Sequence, residues 1–409
     1  MPSSSSPQNE AAQVSNLRIA LVVAALGAIG PFSIDAYLPS FAEIGASLSA
    51  SRIEVQQTLS AYLLPFAVMS LWHGAISDAF GRRRVILVAL TLFAAASLGC
   101  ALATRIEMLW LMRAMQGICA GAGIVIGRAL VRDLYHGVQA QKLMSSVALM
   151  FALAPAIAPV IGGWLHSWFG WRSVFYFLFA FTMALFAACL RWLPETLPLE
   201  KRQPFKLGYL AHAYGAVLTS PRFMLICLAL TLNFMAFFVY VASAPIFLME
   251  HLKLDERGFL WLFGPTTAGI ICGSFISGHS AGKLSTGATL RLACALMGSA
   301  ALINLAVAFL LPPGLPWSVL PLSLYTAGMS LAAPTLTLAA LDLFPEKRGL
   351  AASCQTFIQS AGNALLAGLL APLLWHTPRT LALGMCGFFA VGLLLLWGSQ
   401  KLQKPGAYH

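Results

Sequence analysis

Long apolar runs set the pattern of this chain, separated by short stretches that carry charge, proline or glycine. Twelve are readable: about Ile19–Pro39, Gln56–Ile76, Val85–Ala103, Met108–Leu130, Leu143–Leu165 and Trp171–Leu193, then Phe223–Leu248, Phe259–Gly278, Leu290–Leu311, Trp317–Leu341, Leu350–Trp375 and Leu381–Gly398. A helix needs about 20 mostly apolar residues to cross a hydrocarbon core of roughly 30 Å, and each run has about that length. Short alternating segments, the mark of a membrane barrel, are absent. Pro31, Pro65, Pro155, Pro159, Pro265 and Pro334 fall inside runs; in a bundle, neighbouring helices re-satisfy the freed carbonyls, so these prolines predict kinks rather than loops. The predicted fold is an all-α membrane protein of twelve transmembrane helices.

Composition narrows the class. Of 409 residues, 59% are apolar and 10% charged, against about 25% charged in ordinary soluble domains. That charge cannot cover a soluble surface, which excludes a soluble enzyme, a nucleic-acid binder and a disordered scaffold. With both termini placed in the cytoplasm, seventeen Lys and Arg fall on cytoplasmic segments and six on outer loops, as the positive-inside rule requires. The net charge of +11 is therefore a topology signal. Residues 1–17 are polar and read as a disordered cytoplasmic tail. Residues 18–193 form a first six-helix half, 194–222 a basic cytoplasmic linker, 223–398 a second half and 399–409 a second tail. Two six-helix halves in parallel outline a secondary transporter.

Several chemistries are missing. The eight cysteines all lie inside apolar runs with no CxxC spacing, and the eight histidines form no HxxxH. No metal site is predicted, and the thiols read as packing residues. No phosphate-binding loop forms around Gly282-Lys283. The protein is expected to need no cofactor and no ATP, so uphill movement of a solute requires an ion gradient.

Acids within the membrane are scarce, and each is a functional candidate. Asp35, in PFSIDAYLP, and Arg113, in LWLMRAMQG, share a depth near the outer ends of the first and fourth helices. Burial disfavours a carboxylate's charge and a guanidinium favours it, so the pair is suited to proton exchange; a structural ion pair is the alternative. Between the second and third helices, Gly74, Asp78, Gly81 and Arg82 stand in GAISDAFGRRR. Membrane anchoring explains the arginines of that turn but not the acid.

GAISDAFGRRRV resembles the loop signature of the major facilitator superfamily. LMRAMQGICAGAG resembles its fourth-helix motif, and ALAPAIAPVIGGWL the fifth-helix motif of its proton-driven exporters. SIDAYLPSF, RALVRDLY and PETLP…RQPF are similar to the bicyclomycin/chloramphenicol-resistance family of drug:proton antiporters. The resemblance implies a multi-pass protein of the bacterial inner membrane that exports drugs against protons. It also implies that Asp78, Gly81 and Arg82 hold an inner gate, with Asp78 near the start of the eleventh helix around Gly349 when the cavity opens outward. Arg128, Arg132 and Asp133 would complete that charge cluster, and Pro155, Pro159, Gly162 and Gly163 would shape a closely packed fifth helix. The matching loop of the second half has Gly282 where the acid would stand, so an asymmetric gate is expected.

Asn233, Phe237 and Tyr240 share one face of the seventh helix, and Gln355, Gln359 and Asn363 one face of the eleventh. With Tyr37, Tyr62, Gln116 and Phe151 they form the predicted cavity for small lipophilic neutral or zwitterionic compounds; hydrogen bonding between helices is the alternative for these faces. The expected function is proton-coupled efflux by a monomer, with Asp35 carrying the proton and Arg113 tuning it. Its partners are the small-molecule substrate, protons and the lipid bilayer. An uptake symporter of the same fold is the chief alternative, ahead of a sensor or a channel-like leak.

Overall fold

A computed structural model describes residues 7–135, 137–202, 205, 207–280 and 283–402, with backbone alone for 7–17, 137–152, 201, 207 and 209. The described chain is all-helical. The helices are α1 (Pro7–Asp35), α2 (Phe41–Ser47), α3 (Arg52–Phe80), α4 (Arg82–Ala101), α5 (Ile106–Leu134), α6 (Gly137–Phe169), α7 (Arg172–Trp192) and α8 (Leu207–Leu218). They continue with α9 (Pro221–Ala242), α10 (Leu260–Ser280), α11 (Thr286–Leu310), α12 (Leu320–Leu341), α13 (Arg348–Leu365), α14 (Ala371–Leu374) and α15 (Pro378–Lys401). Eleven segments among the described residues are long and apolar enough to cross a membrane.

Local chemistry sets several of the boundaries. Ser51 caps α3 in a capping box with Glu54, and Thr377 caps α15 with Thr380, each side chain satisfying a backbone donor the helix leaves open. Gly81, at φ +95°, both ends α3 and starts α4. The six prolines named above all lie inside helices. One boundary differs from expectation: helix α1 begins at Pro7, within the segment read as a loose tail. Proline suits a helix's first turn, and the alanine, glutamine and glutamate that follow favour helix, so polarity alone is a poor sign of a missing helix.

The packing repeats along the chain. Helix α3 packs on α5 as α10 does on α12, and α4 packs on α5 and α7 as α11 does on α12 and α15. Likewise α1 meets α5, α6 and α7 as α9 meets α12, α13 and α15. Across these two sets, α3 packs on α13 and α6 on α10.

Three helices break near one end of the bundle, called here the Gln56 end. Helix α1 stops at Asp35 and turns through a 3₁₀ segment, Leu38–Ser40, into α2. Helix α9 passes into a π-turn at Pro245–His251, and α13 into another at Leu366–Leu370. At the opposite, Asp78 end, α8 packs on α13 and α9, while its Tyr214 hydroxyl donates to the Leu71 carbonyl of α3.

Close backbone approach holds α6 in place. A Cβ on Gly162 would collide with the Ala36 carbonyl oxygen, and one on Gly163 would lie 2.5 Å from that of Glu256. Gly278 has nothing within 4 Å. Gly162→Val is expected to cost roughly 1–3 kcal/mol or more through overpacking, read as a lower melting temperature of the purified protein. Gly278→Ala should melt at or slightly above the wild-type temperature.

Candidate functional site

Arg113 projects from α5 into the first set of helices and is fully buried. Its Nη1 donates to the Ser33 carbonyl (2.9 Å), to Ser33 Oγ (3.2 Å) and to Gln116 Oε1 (2.8 Å). The guanidinium lies between the rings of Tyr37 and Tyr62, 4.3 and 4.5 Å from their centroids. Desolvated cation–π contacts of this kind contribute about 2 kcal/mol each. Gln116 passes the network on to Ser97 Oγ at 2.8 Å, and Tyr37 pairs with Thr58 at 3.1 Å.

The expected Asp35–Arg113 ion pair does not form. Ser33, in the last turn of α1, and Tyr37, in the turn just past its end, both meet Arg113. Asp35 stands two residues from Ser33, about 200° around a helix with 3.6 residues per turn, and faces away. Its side chain is buried, and among the described residues no cation or hydrogen-bond donor reaches it. The carboxylate therefore sits at the break of α1, next to the Ala36 carbonyl that packs on Gly162.

The Asp78 end carries the expected charge cluster with altered membership. Arg82 bridges Asp78 (3.2 Å) and Asp133, and Asp133 also accepts from Thr196 Oγ1 at 2.8 Å. Glu195 accepts from the backbone N–H groups of Arg82 (3.0 Å) and Arg83 (3.2 Å), so a carboxylate meets the positive end of α4. Arg202 stands 3.9 Å from Glu195. Arg128 and Arg132 make no ion pair among the described residues, though Arg132 lies close enough to Asp78 to act on its charge. Asp78 has no described partner at Gly349, around which a Cβ would find open space. Gly74 is not a point of forced approach, since a Cβ there would stand 3.8 Å from Val125. Pro159 is buried and Pro155 partly so within α6, and Gly282 lies outside the described residues.

At the Gln56 end the two helix sets are stitched together by residues the sequence reading passed over. Gln56 Nε2 donates to the carbonyls of Ala242 (3.2 Å) and Ala367 (3.1 Å). Gln57 Nε2 reaches Gly368 O at 2.8 Å, and Ser60 Oγ reaches Ala364 O at 3.0 Å. These acceptors lie where α9 and α13 break. Arg52 pairs with Glu250 at 2.9 Å, and His166 lies between Glu43 (2.9 Å) and Glu256 (3.8 Å). The available signal was the polar i, i+4 pair Gln56 and Ser60 on an otherwise apolar helix.

The predicted cavity face of the seventh helix, here α9, is occupied otherwise. Tyr240 accepts from Asn304 Nδ2 of α11 at 2.7 Å, Phe237 is buried against Phe234, and Asn233 lies against Gly392 of α15. These side chains bond and pack within the second set, where α9 meets α12, α13 and α15. Gln355 likewise donates to Thr337 of α12 at 3.0 Å. Gln359 is half-buried and Asn363 buried with its Oδ1 unpartnered among the described residues. Tyr37, Tyr62 and Gln116 belong to the Arg113 network. Phe151 lies in α6, outside the residues whose side chains are described.

The sequence matches the family model of the Major Facilitator Superfamily over residues 23–367. It is 35% identical to the "Uncharacterized MFS-type transporter YdgK" of Bacillus subtilis over 94% of this chain and 96% of that protein. It is 27% identical to the "Bicyclomycin resistance protein homolog" of Haemophilus influenzae over 96% of this chain and 99% of the relative. With "Multidrug resistance protein D" of Escherichia coli the identity is 28%, over 88% and 89% of the two chains.

Arg113→Lys keeps the charge but loses the planar fork and its stacking between two rings. The variant is expected to melt at a lower temperature than wild type. In a double-mutant cycle, Arg113→Met and Tyr62→Leu should couple by about 1–2 kcal/mol.

Proposed function

Because the chain belongs to the major facilitator superfamily, and is thus a membrane transporter rather than an enzyme, we propose that it exports small amphipathic drugs or metabolites from the bacterial cytoplasm in exchange for protons. The resistance named in its relatives favours export over uptake. In this reading α6 supplies a further span and the repeated packing pairs mark two six-helix halves. Both termini and the Asp78 end face the cytoplasm in this reading, which the positive-inside count supports. The inner membrane is the site of action, and one chain suffices.

The conformation then has a mechanical meaning. The Gln56 end is the outer gate and is closed by the amide and hydroxyl bonds of α3. At the cytoplasmic end Asp78 pairs within its own half, and α8 spans the interval between α3 and α13. Such a state loads substrate from the cytoplasm. Gln359 and Asn363 of α13 are the polar groups retained as lining for that substrate.

The observation that carries the proposal is the buried Asp35 carboxylate without a described counter-ion. A buried charge of this kind is costly and is relieved by taking up a proton. In the proposed cycle Asp35 takes a proton when the outer gate opens and releases it toward the cytoplasm, and bound substrate favours one protonation state over the other. Arg113 acts on it indirectly, by holding Ser33 and Tyr37 before and after the break of α1.

Inside-out vesicles holding a proton gradient, monitored with a pH-sensitive dye, test this directly. A compound from a panel of bicyclomycin-like and chloramphenicol-like drugs should dissipate the gradient saturably, and Asp35→Asn should abolish the response with insertion intact. An undiminished response in Asp35→Asn refutes the role given to that residue. In a cysteine-free background, bridging Arg52→Cys to Glu250→Cys with a short bis-methanethiosulfonate, which forms a disulfide at each end, should stop transport, and reductant should restore it. Transport that continues through the cross-link would overturn the gate assignment.

A further inference from the structure

A cavity of about 390 Å³ lies wholly within the second helix set, apart from Asp35 and Arg113. The ends of α9 and α11, the loop 311–318 and the first turn of α15 line it, and it is open on one side. Tyr240 and Asn304 line it and are 2% and 3% exposed. Asn304 Nδ2 donates to the Tyr240 oxygen at 2.7 Å and faces Met385 Sδ at 3.4 Å. Among the described residues, that leaves the Tyr240 hydroxyl proton without an acceptor and Asn304 Oδ1 without a donor. Phe247, Val307 and Pro312 make the rest of the lining largely apolar. A donor and an acceptor left side by side at such a wall can each take a ligand's polar group.

Arg379 lines the same cavity. It is exposed, 5.3 Å from the Phe309 ring centroid, and has no acid partner among the described residues. It stands in the first turn of α15, where the helix dipole also favours an anion. Around it Phe309, Leu310 and Trp317 expose apolar surface, as side chains at a membrane–water boundary do.

We propose that this cavity is a second binding site, separate from the transport path, for a small aromatic amphiphile with an anionic head. The head pairs with Arg379, the ring system fills the apolar chamber, and a hydrogen-bonding group engages Tyr240 and Asn304. The volume lies at the lower end of the 300–1,000 Å³ typical of ligand sites and suits one compact molecule. A phospholipid headgroup shares the anionic chemistry and could reach Arg379 from the bilayer.

1-Anilinonaphthalene-8-sulfonate offers all three features: a sulfonate, an N–H group and a fused ring. With the full chain in phosphatidylcholine nanodiscs, and empty discs subtracted, its fluorescence should rise saturably at one site per protein. Ala308→Phe, which fills the chamber, should weaken binding at least 10-fold. Arg379→Gln, at the surface, should weaken it several-fold and remove its salt dependence. Thermal unfolding identifies variants that fold, and if Ala308→Phe does not, Arg379→Gln carries the test. Competition by added phosphatidylglycerol that disappears in Arg379→Gln would identify the lipid headgroup as the native source of the anion and keep the site. Absence of a saturable signal, or wild-type binding in the folded variants, overturns the proposal. Asp35 is not involved, so failure here leaves proton exchange untouched, and the reverse holds too.

Discussion

Every carbonyl that a broken helix frees inside a bilayer must find a donor, because lipid supplies none. That constraint governs the Gln56 end. Helices α9 and α13 break there, and the carbonyls of Ala242, Ala364, Ala367 and Gly368 are met by Gln56, Gln57 and Ser60 of α3. The helices of the second set are thus completed by side chains of the first. Such bonds suit a gate: amides and a hydroxyl can trade a carbonyl for water when the end opens, whereas a continuous helix cannot.

The Asp78 end is built from different material. Arg82 joins Asp78 to Asp133, and Glu195 holds the start of α4. Charged groups are affordable at that depth because water reaches them. Helix α8 adds a neutral tie through Tyr214, whose burial pushes its phenol up to about 12, so it remains a hydrogen-bond donor across physiological pH. Trp72 packs on Tyr214 and Phe205, holding this tie against α3. In the proposed cycle the two ends open in turn, each against its own kind of bond.

Between these ends, a charge and an acid at one depth are kept apart. Arg113 is neutralised by no carboxylate; two aromatic faces, a carbonyl, a hydroxyl and an amide share its charge. That cage ties α1 to α5 and leaves Asp35 on the other side of α1. An ion pair would have held the carboxylate charged; in the proposed cycle its separation from Arg113 leaves it free to take up a proton.

Much of this was legible in the residues. Run lengths located eleven of the spans found among the described residues, and the prolines marked positions inside helices. The family motifs located Gly162 and Gly163, where backbones approach, and Asp78 and Arg82, which pair. Hydrophobic length and local turn chemistry act along the chain, so the chain alone reports them. Partners across helices were decided elsewhere. The ion pair expected of Asp35 and Arg113 does not form among the described residues, and the Asn233–Tyr240 face bonds and packs against α11, α12 and α15, with Tyr240 alone of the three reaching a cavity, the one within the second set. Periodicity fixes a residue's angle about its own helix axis. The rotation of that helix against its neighbours is set by close packing, glycine against carbonyl and ring against guanidinium, and only the assembled bundle determines it.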